Sequence, residues 1–135
     1  MARDKMTFMA SETPQANAAM QKLRQRYDDV GPEQANVIIA LGGDGFMLSV
    51  LHETRHLSLP LYGMNQGTVG FLMNSFTLDD LPRRLQAAQR AVVHPLVMTA
   101  TDATGAKHDA IAINEVSVFR ETRQAAKIRI AIDGQ

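Results

Sequence analysis

The segment that most restricts the fold is Asn36-Val-Ile-Ile-Ala-Leu41, which runs straight into Gly42-Gly43-Asp44-Gly45. A short apolar run rich in β-branched residues and bounded by breakers predicts a strand buried on both faces, as inside a parallel sheet. The glycine cluster predicts a sharp turn, and the residues through about His56 predict the helix that the turn opens. A strand hidden on both sides needs helices above and below it, so the chain is committed to an α/β layer pattern with a largely parallel sheet.

Neighbouring segments repeat the alternation. Met6 to Ala10 predicts a strand. Thr13 then stands as an N-cap ahead of Pro14, which suits the first helical position. Ala16, Ala19, Met20, Leu23 and Tyr27 follow at helical spacing until Gly31-Pro32 stops the element. Leu59 to Met64 predicts a further strand, ending at Asn65-Gln-Gly67-Thr-Val-Gly70. Asp79 and Asp80 favour the start of a helix carrying Leu81, Leu85 and Ala88, with Pro82 tolerated in its first turn.

From His94 the character changes. His94 to Thr101, Ala110 to Arg120 and Lys127 to Ile132 predict strands, with Asp102-Ala-Thr-Gly105 as a turn between the first two. An α/β domain over 1–93 and the start of a β-rich domain over 94–135 are therefore expected. Asp133-Gly134 is a strong hairpin signal, yet only Gln135 follows it, so the chain is expected to stop inside a domain.

Composition narrows the function classes. The 135 residues carry 14 Lys+Arg against 14 Asp+Glu, so no net charge draws the chain to nucleic acid or an anionic membrane. The absence of cysteine removes disulfide scaffolds, thiolate catalysis and cysteine-ligated metals. No apolar run of about 18 residues occurs that would span a bilayer. Met1-Ala-Arg-Asp-Lys-Met-Thr-Phe8 lacks the apolar stretch of a signal peptide. A cytoplasmic chain is expected.

Chemistry concentrates in three segments. In the first, Gly42, Gly43 and Gly45 can take positive φ and leave backbone N–H groups open to a ligand, next to the positive end of a helix dipole. A carboxylate in such a turn would repel a phosphate unless something mediates. Asp44 could bind a ligand hydroxyl or hold Mg²⁺ that in turn holds phosphates. As an ionised group it would be a weak base but a good orienting acceptor for an attacking hydroxyl. The alternative is a tight turn with Asp44 as a simple N-cap. Neither the P-loop nor the dinucleotide-binding glycine pattern occurs. In the second segment, Gly63-Met-Asn65-Gln-Gly67-Thr-Val-Gly70-Phe71-Leu72, Gly67 and Gly70 would permit close approach of a ligand. Asn65 could read a polar edge there, and Phe71 could face a base or sit in the core. In the third, Asn114-Glu115 interrupts the β-branched run from Ile111 to Phe119. Burying that pair unsatisfied would cost about 1–3 kcal/mol each. Either the strand breaks there with both side chains serving a site, or a surface strand simply exposes Glu115.

Taken in order, these three segments resemble the NAD kinase family, ATP-dependent enzymes that phosphorylate the 2′-hydroxyl of the adenosine ribose of NAD. Gly-Gly-Asp-Gly by itself is shared with diacylglycerol, sphingosine and phosphofructokinase relatives. The resemblance implies a Rossmann-like, phosphofructokinase-like parallel sheet followed by a β-rich NAD-binding domain. It implies Asp44 as the catalytic aspartate, Gly42, Gly43 and Gly45 as the phosphate-side turn, and Asn65 and Gly67 beside the nucleotide. Phe71 would line the adenine pocket, and Asn114 with Glu115 would bind ribose hydroxyls. ATP as donor, NAD as substrate, accompanying Mg²⁺ and a homodimer or homotetramer are implied as well. Phe46 stands where many members carry Thr, and a Gly-Ser-Thr-Ala-Tyr-type segment with further strands, present in the family, is absent here. A lipid or sugar kinase sharing the turn, or a non-catalytic nucleotide-binding fragment, is the alternative.

One rival comes from another class. His52-Glu53-Thr54-Arg55-His56 fits the zinc-protease motif His-Glu-x-x-His. Met47, Val50, Leu51 and Thr54 share one helical face, which leaves Ser49, His52, Glu53 and His56 toward water. A third ligand could come only from His94 or His108, so a solvated helix face is the better account. Ser49, Ser58 and Ser117 sit in no nucleophile elbow.

Overall fold

A computed structural model describes residues 4–135; Met1, Ala2 and Arg3, the first residues of the stretch read as lacking a signal peptide, lie outside the described residues. Contacts divide the chain into two compact units, Met1–Pro95 and Leu96–Gln135.

The first unit is an α/β layer structure. Strands β1 (Met6–Ala10), β2 (Val37–Leu41), β3 (Leu61–Asn65) and β4 (Met73–Ser75) form a parallel sheet in the order β1-β2-β3-β4. β2 is buried at all five positions, as its continuous apolar run requires. Its side chains alternate between two cores. Val37, Ile39 and Leu41 pack with Ala16, Ala19 and Leu23 of helix α1 (Pro14–Arg24) and with Leu81 of helix α3 (Leu81–Ala87). Ile38 and Ala40 pack with Met47 and Val50 of helix α2 (Asp44–Glu53) on the other face.

That arrangement has a topological consequence. The path β1 to β2 to β3 advances one way across the sheet, yet α1 and α2 lie on opposite faces. The two crossovers therefore have opposite hands, and one departs from the right-handed rule. At the carboxyl ends of the strands, the connection after β1 leaves toward one face and that after β2 toward the other. Diverging connections of this kind open a crevice at the sheet edge.

Local signals explain most element ends. Thr13 caps α1, its hydroxyl oxygen accepting from the Ala16 N–H at 3.2 Å. α1 stops at Arg24 rather than at Gly31-Pro32, because Asp29 draws the chain back to the sheet. Its carboxylate accepts from the Thr7 hydroxyl at 3.1 Å and from Arg24 Nε at 2.7 Å. Tyr27 is thus outside the helix, its hydroxyl donating to the Leu78 carbonyl at 2.8 Å. α2 ends at Glu53 instead of near His56. There the Thr54 hydroxyl donates to the Val50 carbonyl at 2.7 Å, the same acceptor its own N–H uses. β3 starts at Leu61, where pairing with Ile38 begins, two residues later than expected. β4, unforeseen after the glycine segment, pairs with β3 from Gly63↔Met73 to Asn65↔Ser75. Arg84 on α3 is half-buried, its guanidinium 5.8 Å above the Tyr62 ring and donating to the Ser75 carbonyl at 3.0 Å.

The second unit holds one antiparallel pair, β5 (Leu96–Thr101) with β6 (Lys107–Ala112). The predicted Asp102-Ala-Thr-Gly105 turn joins them, with Gly105 at φ 89. The Asp102 carboxylate organises it. The Thr104 hydroxyl, the His108 ring and the N–H groups of Thr104 and Ala106 hold its carboxyl well below the usual carboxylate range. Two expectations are corrected here. The strand placed at Ala110 to Arg120 instead occupies Lys107–Ala112, and no strand forms over 127–132. A strand exists only where a partner completes its ladder, and among the described residues 127–132 has none. The turn signal beyond it still acts. Asp133 and Gly134 both take left-handed φ, 52 and 81, and Ile132 and Gln135 exchange N–H···O bonds of 2.9 and 3.0 Å.

Candidate functional site

The glycine-aspartate turn closes the carboxyl end of β2. Gly43 is the N-cap of α2 and Asp44 its first residue, and no side chain caps the helix. Asp44 is therefore no N-cap. Its half-buried carboxylate leaves its own helix and accepts the N–H of Phe71 on Oδ2 and the N–H of Leu72 on Oδ1, each at 3.0 Å. This pair of bonds holds the seven-residue return from β3 to β4 against the start of α2.

The glycines serve differently from expectation. None of Gly42, Gly43 and Gly45 takes positive φ; Gly43 sits at −97. Gly42 is buried and needed for space, since a Cβ there would lie 2.9 Å from the Phe46 ring. Gly43 and Gly45 are exposed, and a Cβ on either would meet nothing within 4 Å. Backbone at the mouth of α2 is thus open to solvent.

Two hollows lie at the carboxyl ends of the strands. One of about 430 Å³ is lined by Gln15, Asn65, Gln66, Gly67, Ser75 and Phe76. The other, about 140 Å³, shares Gln15, Asn65, Gln66 and Phe76 and reaches Ser11, Thr13, Gly42 and Gly43. Gln15, Gln66, Ser75 and Phe76 were missed in the sequence. Only their place after strand ends could have pointed to them. Asn65 spends its amide on the loop, donating to the Thr68 carbonyl at 2.8 Å and accepting from Gly67 N at 3.4 Å. Phe71 is not a core residue. Its ring is fully exposed and lines neither hollow. Asp44, next to Gly43, also lines neither.

Asn114 and Glu115 belong to the second unit. β6 ends at Ala112, so the strand does break before the pair; both side chains are exposed, with Asn114 Nδ2 3.3 Å from Glu115 Oε2. The histidine motif loses its geometry, because α2 ends between the two histidines. His56 falls on a 3-10 turn with Nδ1 3.1 Å from the Glu53 carbonyl. Among the described residues no group of three His, Asp or Glu side chains could hold a metal.

The family model of the ATP-NAD kinase N-terminal domain matches residues 1–96. The chain belongs to the NAD kinase family. The NAD kinase of Caulobacter vibrioides is 56% identical over 131 residues, 97% of this chain and 50% of that protein. The NAD kinase of Hyphomonas neptunium is 48% identical over 131 residues, covering 97% and 51%. That of Cereibacter sphaeroides is 48% identical over 135 residues, covering 100% and 53%. The chain spans about half the length of the curated relatives it matches. Within this NAD kinase-family chain, the Asp44 turn and the loop it holds both fall inside the matched 1–96. Asn114 and Glu115 fall beyond it, though inside the stretch shared with the Cereibacter sphaeroides relative. No helix among the described residues is long and apolar enough to cross a membrane.

Proposed function

We propose that the chain carries the phosphoryl-transfer side of an NAD kinase, which moves the γ-phosphoryl group of ATP to the adenosine 2′-hydroxyl of NAD and yields NADP. One observation carries this reading: the Asp44 carboxylate stands clear of its own helix, held by two backbone amides at the end of the sheet where the hollows lie. Each carboxylate oxygen accepts one N–H and keeps a second lone pair for a hydroxyl. Asp44 orients the 2′-hydroxyl and receives its proton as the oxygen bonds to the γ-phosphorus. The bond from that phosphorus to the β–γ bridging oxygen breaks, and ADP leaves. Such a transition state asks chiefly for positioning and charge stabilisation.

The remaining roles follow the same assignment. Gly42, Gly43 and Gly45 present the uncapped start of α2 to the phosphates, where free N–H groups and the helix dipole favour negative charge. Phe71 offers its exposed ring to adenine, Asn65 and Gly67 border the nucleotide, and Asn114 with Glu115 take ribose hydroxyls. Mg²⁺ would neutralise phosphate charge. No three His, Asp or Glu side chains cluster among the described residues, so it would come bound to the ATP phosphates. The α/β domain over 1–93 would supply the transfer site and 94–135 the first part of the NAD-binding domain. A cytoplasmic homodimer or homotetramer is the expected assembly.

NADP formation from NAD, ATP and Mg²⁺, measured for the protein bearing this chain and for its Asp44→Asn variant, tests the proposal. Loss of a positioned proton acceptor should lower kcat by about 10²-fold or more. An undiminished rate in Asp44→Asn, or phosphorylation of a lipid or sugar in place of NAD, would overturn it.

A further inference from the structure

Gly70 brings the glycine loop against Asp44 at the start of α2. A Cβ built there would lie 2.6 Å from Asp44 Cγ and 2.7 Å from its Oδ1, closer than real Cβ atoms come to their neighbours. Its three nearest neighbours would all be atoms of the Asp44 carboxyl group. Gly70 is not among the glycines in the left-handed region, which are Gly31, Gly105 and Gly134. The position calls for glycine because of space, not backbone conformation.

We propose that the empty volume at Gly70 is the seat of the Asp44 carboxylate, which makes Gly70 a positioning residue for the phosphoryl transfer; the proposal rests on the kinase assignment above. With the seat free, the two amides of Phe71 and Leu72 fix both oxygens and hence the plane of the carboxylate. A methyl group at position 70 fills the seat. The carboxylate must then rotate away, both amides lose their acceptor, and the lone pairs meant for the substrate hydroxyl point elsewhere.

Comparison with Gly63 shows why this is a functional constraint. A Cβ on Gly63 would meet Met73 Sδ at 2.5 Å and the Leu72 backbone oxygen at 3.1 Å, inside the β3–β4 pair. Relief there requires Met73, a buried core side chain, to repack and the Leu72 carbonyl to give by a few tenths of an ångström. At Gly70 the obstacle is the end of one side chain, which a χ1 rotation relieves. The fold tolerates Gly70→Ala; the site does not.

The test compares wild type, Gly70→Ala, Gly63→Ala, Asp44→Ala and the Gly70→Ala/Asp44→Ala double variant in the intact protein. It reads kcat, KM for ATP, thermal melting and hydrogen exchange at the Phe71 and Leu72 amides. Gly70→Ala should melt near wild type, keep its KM for ATP and lose about a hundredfold in kcat, the scale a 1 Å misplacement produces. Its two amides should exchange as fast as in Asp44→Ala, and it should cost nothing further in the double variant, as expected for residues acting as one unit. Gly63→Ala should instead lower the melting temperature. Undiminished kcat in Gly70→Ala, or a loss that adds in full to that of Asp44→Ala, would overturn the positioning role. Unchanged protection at both amides would overturn the seat itself. If wild type forms no NADP while Gly70→Ala still frees the amides, the kinase assignment falls, and the positioning role falls with it.

Discussion

Isoleucine behaves in opposite ways in the two compact units. In the first, Ile38 and Ile39 are completely buried; in the second, Ile128, Ile130 and Ile132 are each at least 72% exposed. Both sets are apolar, β-branched and patterned as strands. Every buried apolar side chain among the described residues lies between Met6 and Leu81. The difference is supply of cover. Between its strands the first unit carries α1 and α2, one for each face of β2, so burial comes from neighbours close in sequence. The second unit has a two-stranded pair, which is marginal without further strands or a helix on its face. Burial is thus a property of the partners a strand finds, not of its residues.

Three substitutions and one titration break or sharpen that contrast. The largest effect is expected from Ile39→Ala, which should cost about 2–5 kcal/mol in urea unfolding of this 135-residue chain, whereas Ile130→Ala in the same chain should stay within about 0.5 kcal/mol. Equal costs would erase the contrast. A middle effect tests whether the first unit relies on tertiary polar contacts as well as apolar ones. Tyr27 donates to the Leu78 carbonyl at 2.8 Å and its oxygen lies 3.4 Å from Leu81 N. Tyr27→Phe should lose about 0.5–1.5 kcal/mol in the same measurement, and no loss would mean that apolar packing alone holds α3 in place.

The smallest effect belongs to the second unit, whose order rests on a fully exposed turn. Asp102 has a depressed folded pKa, first through the Thr104 hydroxyl and then through His108 and two backbone N–H groups. A depressed acid contributes stability above its ordinary value of 3.8, and that contribution disappears as pH falls through the lower folded value. NMR titration of the Asp102 carboxyl carbon should give a midpoint below 3.8, with the β5–β6 turn loosening only under more acid conditions. A midpoint at or above 3.8 would show that the turn does not depend on this carboxylate.

Much of the first unit was legible because its signals are short-range. Thr13-Pro14 marked the start of α1, and the run from Asn36 to Leu41 marked β2, which begins one residue later at Val37. β4 was not legible, since three residues after a glycine loop carry no periodicity and become a strand only by pairing with β3. The site divided similarly. The Gly42-to-Gly45 turn was readable as chemistry, but Gln15 and Phe76 reach the hollows through folding alone. Gly42 was read as a conformational device and Gly70 as room for a ligand. Both proved to be spaces, filled by Phe46 and by Asp44.

What the sequence determined by itself was local: caps, turns such as Asp133-Gly134, the strand that opens the Asp44 turn, and the family to which those motifs point. Such features depend on interactions within a few residues, where backbone preference and hydrogen bonding act without distant help. The tertiary structure alone decided that α1 and α2 take opposite faces, that Asp44 binds the backbone 27 and 28 residues away, and that Met73–Ser75 becomes a strand beside β3. Each of these depends on which segments meet across the fold. Loop closure and the presence of a partner set that outcome, and neither is written in a local pattern.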